Sequence, residues 1–577
     1  MATVAEQLVR TLRDAGVERI YGIVGDSLNP VVDAVRRTDG IEWVHVRHEE
    51  AAAFAAAAEA QVTGKLTVCA GSCGPGNLHL INGLYDAHRS GAPVLAIASH
   101  IPSTQIGTGF FQETHPAELF RECSHYSELV SEPEQLPRLL RIAMQAAVGK
   151  RGVAVLSIPG DVADRRAAGS VSVPLTLVPP SPVAPSTEDV TQLAALMNAA
   201  EKVMLFVGAG AEGAHDEVMS LATALVAPVG HSLGGKEVIQ YDNPYDVGMN
   251  GLLGYGACYE AMHEADLVVL LGTDFPYDNF LPQARTVQVD VDPAHLGRRT
   301  PLELGVHGSV RETVEALLPL LRTRTDRSFL DRMLLRHARK LEKVVEAYTS
   351  GVAQRTPIHP EYAASLVDEV AADDAVFTVD TGMGNVWASR YLTPNGERRV
   401  IGSFRHGSMA NALPQAIGVA LAQPGRQVVS LSGDGGLSML MGELLTLSTY
   451  EVPVKVVVFN NASLGMVKLE MLVDGLPDYG TDHPRVDFAA IARACGLYAE
   501  QVTDPGDVRG ALEKAFAHPG PAVVELVTDP NALSIPPKIT GDMVRGFALA
   551  ASKTVLNGGV GKMVEMARSN LRNTPRP

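Results

Sequence analysis

The sequence predicts an α/β protein of three domains, each a parallel sheet covered by helices, followed by a C-terminal tail. Three observations point there. Short apolar strands alternate with longer helical patterns along nearly the whole chain, and such alternation favours parallel sheets with helices on their faces. At 577 residues the chain is long, and a single core stops growing at roughly 250–300 residues. Its 46% hydrophobic and 20% charged content is the balance of a packed multi-domain α/β protein rather than of a disordered or fibrous chain.

The first domain, residues 1–180, opens as an amphipathic helix running into the strand RIYGIVGD. No cationic segment leads into an apolar run, so an export signal is not expected. WVHVRHE, LTVCAGSC, PVLAIAS and VAVLSIPGD continue the strand series. The Pro-rich stretch VPLTLVPPSPVAPSTED at 173–189 has little to bury and is held extended, which marks a linker. The second domain, 185–340, contains KVMLFVGAGAEG, LVVLLGTDFPY and TVQVDVDP and ends near the charged helix SFLDRMLLRHARKLEKVVEAY. The third, 355–530, begins at the Pro pair of TPIHPEY and contains AVFTVDTG, QVVSLSGDGG and VKVVVFNN. The first and third domains share a plan, with no residue-level repeat between them. From 531 to 577 the chain turns basic: Lys538, Arg545, Lys553, Lys562, Arg568, Arg572 and Arg576 face only Asp542 and Glu565.

A net charge of −17 argues against a nucleic-acid partner, because phosphate binding needs Lys and Arg to replace released counterions. Five cysteines without a Cys-x-x-Cys pair indicate neither a disulfide framework nor a zinc site, and read as small buried hydrophobes in a reducing cytoplasm. No apolar run reaches the ~20 residues that span a bilayer, so any membrane contact is peripheral.

The sharpest chemical signal is LSGDGG, a helix, and then the strand VKVVVFNN. This places Asp434 and Asn461 at the carboxyl ends of neighbouring parallel strands, where open α/β sheets bind ligands. Gly433, Gly435 and Gly436 let the backbone approach a ligand, and the following helix N-terminus offers free N–H groups to a diphosphate. Asp434 and Asn461 add hard oxygens that suit Mg²⁺. A lone Gly-Asp-Gly-Gly would be only a strand-to-helix turn. Glu49 and Glu50 open an Ala-rich helix, where carboxylates also simply favour a helix start. In the second domain, Gly272-Thr273 after LVVLL forms a strand-end loop able to cradle phosphates, and Asp290 can accept from a ribose hydroxyl. The glycines of FVGAGAEG are a weak dinucleotide signal that many turns satisfy.

Taken together, Gly433-Asp434-Gly435 through Asn460-Asn461 resembles the signature of the thiamine-diphosphate enzyme superfamily. That resemblance implies Mg²⁺ held by Asp434, Asn461 and the carbonyl of Ser463, with Gly435, Gly436, Ala462, Leu464 and Gly465 around the cofactor. It makes Glu49, after His48, the acid beside the aminopyrimidine, and Glu50 a bystander. It sets Met409 under the bent cofactor, with Gly407 and Ser408 near the aminopyrimidine. Longer strings, GDSLNPVVDAV, AGSCGPGNLHLINGLYDAHR, GTGFFQETHPAELFRECSHY and KEVIQYDNPYDVGMNGLLGYG, resemble the flavin-dependent pyruvate oxidases that use a quinone, over nearly the whole chain. FAD is then expected on Asn250, Gly251, Leu252, Leu253, Thr273, Asp274, Phe275, Pro276, Tyr277 and Asp290, and pyruvate beside Phe111 and Gln112. The implied reaction is oxidative decarboxylation of pyruvate to acetate and CO₂ through a thiamine-diphosphate enamine, with electrons passing through FAD to a membrane quinone. The family also implies a homodimer at minimum and a homotetramer in full, with Glu49 and the diphosphate site of one cofactor on different subunits. It places the enzyme in the cytoplasm, against the inner face of the membrane. Met466 stands where that family carries an aromatic residue thought to serve electron transfer. The tail, with Val560, Met563, Val564 and Leu571 beside Lys562, Arg568 and Arg572, is expected to reach a lipid surface. The alternatives are an acetolactate synthase, a phosphate- and oxygen-using pyruvate oxidase, and a catalytically dead scaffold.

Overall fold

The computed structural model describes residues 2–169, 176–342 and 352–532, together with 545, 549–553, 564 and 566. Three sheets organise it. The first contains β1 (Arg19–Gly22), β2 (Glu42–His45), β3 (Thr67–Gly71), β4 (Val94–His100), β5 (Tyr126–Leu129) and β6 (Val153–Pro159), in the order β2-β1-β3-β4-β6-β5. The second contains β7 (Val203–Val207), β8 (Val229–His231), β9 (Asp246–Met249), β10 (Tyr255–Gly256), β11 (Leu267–Leu271), β12 (Arg285–Asp290) and β13 (Leu304–His307), in the order β10-β9-β8-β7-β11-β12-β13. The third contains β14 (Val376–Val379), β15 (Arg399–Gly402), β16 (Val428–Gly433), β17 (Lys455–Asn460), β18 (Tyr498–Val502) and β19 (Ala522–Val527), in the order β15-β14-β16-β17-β19-β18.

The first and third sheets thus repeat one strand order, which the sequence shows only as a shared plan. All pairings are parallel except the short β9–β10 pair at one edge of the second sheet. The central strands β3, β4, β6, β7, β11, β17 and β19 are buried along their full length. This is why they read as unbroken apolar runs, whereas the edge strands β2 and β5 are partly exposed. The expected strand WVHVRHE is shorter than its apolar pattern: β2 ends at His45, and the chain turns at Val46–His48 into the helix Glu49–Thr63.

Of the expected linker, residues 176–186 have no regular structure, and Ser186 caps the next helix, Thr187–Ala199, by accepting from the Asp189 N–H; 170–175 lie outside the described residues. The charged helix is described over Ser328–Lys340. The five cysteines are free, four of them buried. No helix among the described residues is long and apolar enough to cross a membrane.

The first and third domains meet along the Ala-rich helix Glu49–Thr63 and the helix Ala412–Ala422. Contact is at backbone distance: a Cβ on Gly418 would lie 2.0 Å from the Ala55 carbonyl oxygen. Asp86 is buried in the same interface, accepting from Ser403 Oγ at 2.7 Å and Gln415 Nε2 at 3.2 Å. Burial pushes its carboxyl up to about 7, against those two donors. A carboxyl raised on folding stabilises the native state below its unfolded value, and that contribution is lost as pH rises through the folded one. We therefore expect Asp86→Asn to remove up to one proton's worth of pH dependence between about pH 4 and 7, about 1.4 kcal/mol per pH unit. Thermal melts at pH 5 and pH 8 test this; an equal Tm difference in variant and parent would contradict it.

Candidate active site

β16 and β17 are adjacent and parallel, so the residues that follow them share one edge of the third sheet. Asp434 opens the helix Asp434–Leu440 and is buried. Its Oδ1 accepts from the Gly435 N–H at 2.8 Å and its Oδ2 from the Ala462 N–H at 2.5 Å. The Asn461 side-chain oxygen accepts from the Ser463 N–H at 3.0 Å, and Ala462 takes the left-handed conformation, φ 54°. Asp434, Asn461 and Ser463 are therefore brought together as the sequence expects. Met409 and Leu464 join them: a Cβ on Gly435 would meet Leu464 Cδ2 at 2.6 Å and Met409 Cε at 3.4 Å. Ala410, also left-handed at φ 67°, fixes the turn after Met409. Burial raises the Asp434 carboxyl, while the main-chain donors and His483 oppose the shift. A divalent cation would relieve that burial cost.

Sequence reading missed the other half of this cradle. In the third sheet the strands stay parallel but their order of addition reverses between β14 and β16, β15 lying on one side of β14 and β16 on the other, and ligands bind at such switch points. β14 leads into Asp380, Thr381 and Gly382, then the helix Met383–Tyr391. Gly382 has φ 129° with open space beside it. Asp380 Oδ1, Thr381 Oγ1, Asn385 Oδ1 and His483 Nε2 are buried without a hydrogen-bond partner among the described residues. Asp380 Oδ2 lies where a Cβ on Gly436 would be, and burial pushes its carboxyl up to about 7. Around an open glycine turn, Thr381 Oγ1 and His483 Nε2 can donate to a diphosphate, while the Asp380 and Asn385 oxygens are acceptors suited to its metal or to a bound N–H. The signal was present in VDTGMGN, but a strand followed by Thr-Gly looks like any turn until the strand order is known.

Glu49 is the first residue of its helix and is buried. Its Oε2 lies 2.9 Å from His79 Nδ1, and its Oε1 lies 2.9 Å from where a Cβ on Gly76 would be. His48 caps the helix, Nδ1 accepting from the Glu50 N–H at 3.2 Å, and its ring stacks on His79 with centroids 4.3 Å apart. Burial first, then His79, lowers the His48 imidazole from its usual range, which favours the neutral acceptor seen in the cap. Glu50 points elsewhere: its Oε1 accepts from Asn82 Nδ2 at 2.6 Å. Asn82 also donates to Ser408 Oγ at 2.8 Å and lies 2.8 Å from His406 Nε2. His79 and Asn82 fall on one face of the helix Pro75–Arg89. They were invisible as site residues because only packing brings that face against the two glutamates.

Gln112, left-handed at φ 63°, abuts the same 73–76 loop from the other side, with Cys73 Sγ 3.4 Å from its Oε1. Phe111 is 78% exposed. The two line a cleft of about 210 Å³ with Asp26, Cys73, His100 and Asp161. Gly407 is left-handed at φ 79°, and Ser408 lies beside Asn82. Met466 lies in the first turn of the helix Gly465–Val473, partly buried against the third-domain core.

In the second domain the expected residues collect at the ends of β9, β11 and β12. Asn250 is buried, donating to the Phe280 carbonyl at 3.1 Å and accepting from the Gly251 N–H at 2.9 Å. A Cβ on Gly251 would meet the rings of Phe275 and Tyr277 at 3.2 and 3.3 Å. Leu252 is exposed and Leu253 packs on the third-domain core. Thr273 is buried, Pro276 exposed, and Asp274 pairs with Arg298 at 3.0 Å and Arg299 at 3.1 Å. Asp290 accepts from the Asp292 N–H at 2.9 Å and sits 3.3 Å from His295 Nδ1. Two guanidinium groups and a strand-end carboxylate suit an anionic nucleotide. By contrast, the glycines of FVGAGAEG serve packing: Cβ atoms on Gly208 and Gly210 would lie 2.4 Å from the carbonyl oxygen and 2.8 Å from the Cα of Gly272.

Comparison with known proteins identifies the three domains. Residues 2–119 match the N-terminal thiamine pyrophosphate binding domain of thiamine pyrophosphate enzymes, 190–317 their central domain and 380–526 their C-terminal thiamine pyrophosphate binding domain. The chain is 35% identical to the thiamine pyrophosphate-containing protein YdaP of Bacillus subtilis (strain 168), over 95% of each chain. It is 31% identical to a pyruvate oxidase of Lactiplantibacillus plantarum, over 90% of this chain and 87% of that one. It is also 32% identical to an acetolactate synthase of Arthrospira platensis, over 91% and 94%. With three matching domains in order and the Asp434–Asn461 and Glu49 clusters in place, the chain belongs to the thiamine-diphosphate-dependent, decarboxylase-type enzymes.

Proposed function

We propose that this enzyme oxidatively decarboxylates pyruvate to acetate and CO₂, using thiamine diphosphate, Mg²⁺ and FAD and passing electrons to a membrane quinone. One observation carries the quinone branch of the reading: Ala550 and Met566 of the basic tail pack on Leu472, beside Leu469, of the helix that begins at Gly465-Met466. A tail resting on that helix offers a route by which a lipid surface, once it binds the tail, is felt at the active site. Lys553 Nζ donates to the Gly475 carbonyl at 2.9 Å just beyond the same helix. Val560, Lys562, Met563, Arg568, Leu571 and Arg572 of the expected amphipathic face lie outside the described residues.

In this reading Asp434, Asn461 and the Ser463 carbonyl hold Mg²⁺, and the turns at Gly382 and Gly433–Gly436 receive the diphosphate. Met409 supports the cofactor, and the ends of β9, β11 and β12 hold FAD. When bound, thiamine diphosphate supplies a nucleophilic carbon and an electron sink, and FAD a two-electron acceptor. The protein's own work is to hold and move a proton at the Glu49 carboxyl with His79 beside it, to keep Glu50 engaged by Asn82, and to orient pyruvate between Phe111 and Gln112. The enzyme acts as a homotetramer at the inner face of the cell membrane.

Incubation with pyruvate, both cofactors, Mg²⁺ and a quinone analogue tests this: acetate with flavin bleaching supports it. Acetolactate without dye reduction, or acetyl phosphate with peroxide, would overturn it. Deleting residues from Asn557 onward removes Lys562, Arg568, Arg572 and Arg576 and one acid, Glu565, a net loss of three cations at about 1 kcal/mol each near an anionic surface. Liposome binding and turnover with a lipid-embedded quinone should fall by about 100-fold, with pyruvate–ferricyanide activity retained. Unchanged binding to anionic liposomes would make the tail a structural cap.

A further inference from the structure

β2 is an edge strand, paired on one side only, with β1. In a strand, successive N–H groups alternate sides. Those of Glu42 and Val46 reach inward to the carbonyls of Glu18 and Gly22. On the outer side there is no strand to meet, and the third domain supplies side-chain acceptors to the His45 N–H and, in the turn just past the strand, to those of Arg47 and His48. The His45 N–H donates to the Tyr450 hydroxyl at 2.7 Å, which in turn lies 3.3 Å from the Trp43 carbonyl. The Arg47 and His48 N–H groups both donate to Glu443 Oε1, at 2.8 and 3.1 Å. Glu443 is 1% exposed, and its second oxygen accepts from Thr446 Oγ1 at 2.6 Å. Burial raises its carboxyl while these donors oppose the shift. Its carboxylate also faces the N-terminal, positive end of a 15-residue helix.

We infer that Glu443 is a positioning residue: from the third domain it fixes the main chain immediately before Glu49, and so the placement of the carboxyl that acts on the aminopyrimidine. The 3₁₀ turn Met441–Glu443 and the helix Leu444–Tyr450 lie between the two metal-ligand positions, Asp434 and Asn461. The segment that spans the diphosphate site thus also grips the strand that presents the catalytic acid. The inference rests on the reading of Glu49 given above.

The test is exchange of the cofactor's C2 proton for deuterium in the holoenzyme, measured by acid quench and NMR without pyruvate or electron acceptor. A misplaced group of this kind costs about 100-fold, so Glu443→Ala should slow exchange and kcat by about that factor, with KM and cofactor affinity within about threefold of the parent. Glu443→Gln keeps an oxygen acceptor and should recover at least about tenfold of the loss. A purely structural residue would lower Tm and leave exchange alone; parent-like exchange in Glu443→Ala would overturn the inference. If that variant does not fold, Glu443→Asp decides, its carboxylate being one methylene short of the two N–H groups. Slowed exchange at unchanged Tm supports the role, and parent-like exchange refutes it. Parent-like exchange in Glu49→Gln would remove the reading of Glu49 and the inference with it, whereas slow exchange there with normal exchange in Glu443→Ala would remove the inference alone.

Discussion

Glu49→Gln is expected to keep thiamine-diphosphate binding and to lose turnover by about 100- to 10,000-fold, the range that positioned proton transfer contributes. The amide fills the same space beside Gly76, and His79 can still reach its oxygen, so folding and binding persist. What disappears is the ionisable proton. Glu50→Gln should be mild, because Asn82 donates to Glu50 and an amide oxygen accepts that bond equally well. Steady-state kinetics of the two variants, with cofactor affinity measured by calorimetry, checks the pair. A mild Glu49 variant and a dead Glu50 variant would mean that the register of the His-Glu match is off by one residue.

Asp434→Ala is expected to abolish Mg²⁺-dependent cofactor binding. Loss of an outer-shell partner alone typically costs 10- to 100-fold in metal affinity, so removing a direct anionic ligand should cost at least about 100-fold. The variant also frees the Ala462 N–H that the carboxylate accepts at 2.5 Å, loosening the loop that carries Asn461 and Ser463. Calorimetric titration with thiamine diphosphate, with and without EDTA, measures both effects. Undiminished affinity would show that the metal is held elsewhere.

Much of the fold was legible because buried parallel strands write themselves as apolar runs ending in Gly, Asp or Asn. Asp434 and Asn461 were legible for the same reason: each terminates such a run, and the two runs are neighbours. Glu49 needed the family resemblance, since a glutamate opening a helix has an ordinary structural reason to be there. His79 and Asn82 were not legible, because they sit in a plain helical stretch and gain their roles only when that helix packs on Glu49 and Glu50. Thr381 and Asn385 needed the strand order that puts β14 beside β16. Gly208 and Gly210 show the converse. Their spacing imitates a nucleotide fingerprint, yet they are small so that the loops after β7 and β11 can touch.

The seam between the first and third domains has a mechanical consequence. With the Ala55 carbonyl oxygen 2.0 Å from the point a Cβ on Gly418 would occupy, two helix backbones touch at that point, and Leu413 and Ile417 pack with Ala58 alongside it. Such a joint resists both sliding and tilting, since either would open a void or drive main chain into main chain. The two domains therefore travel as one block, and whatever flexing admits cofactor or substrate falls to the irregular segments 106–115 and 474–487. Amide hydrogen exchange should find the helices Glu49–Thr63 and Ala412–Ala422 among the slowest in the chain and those two segments among the fastest.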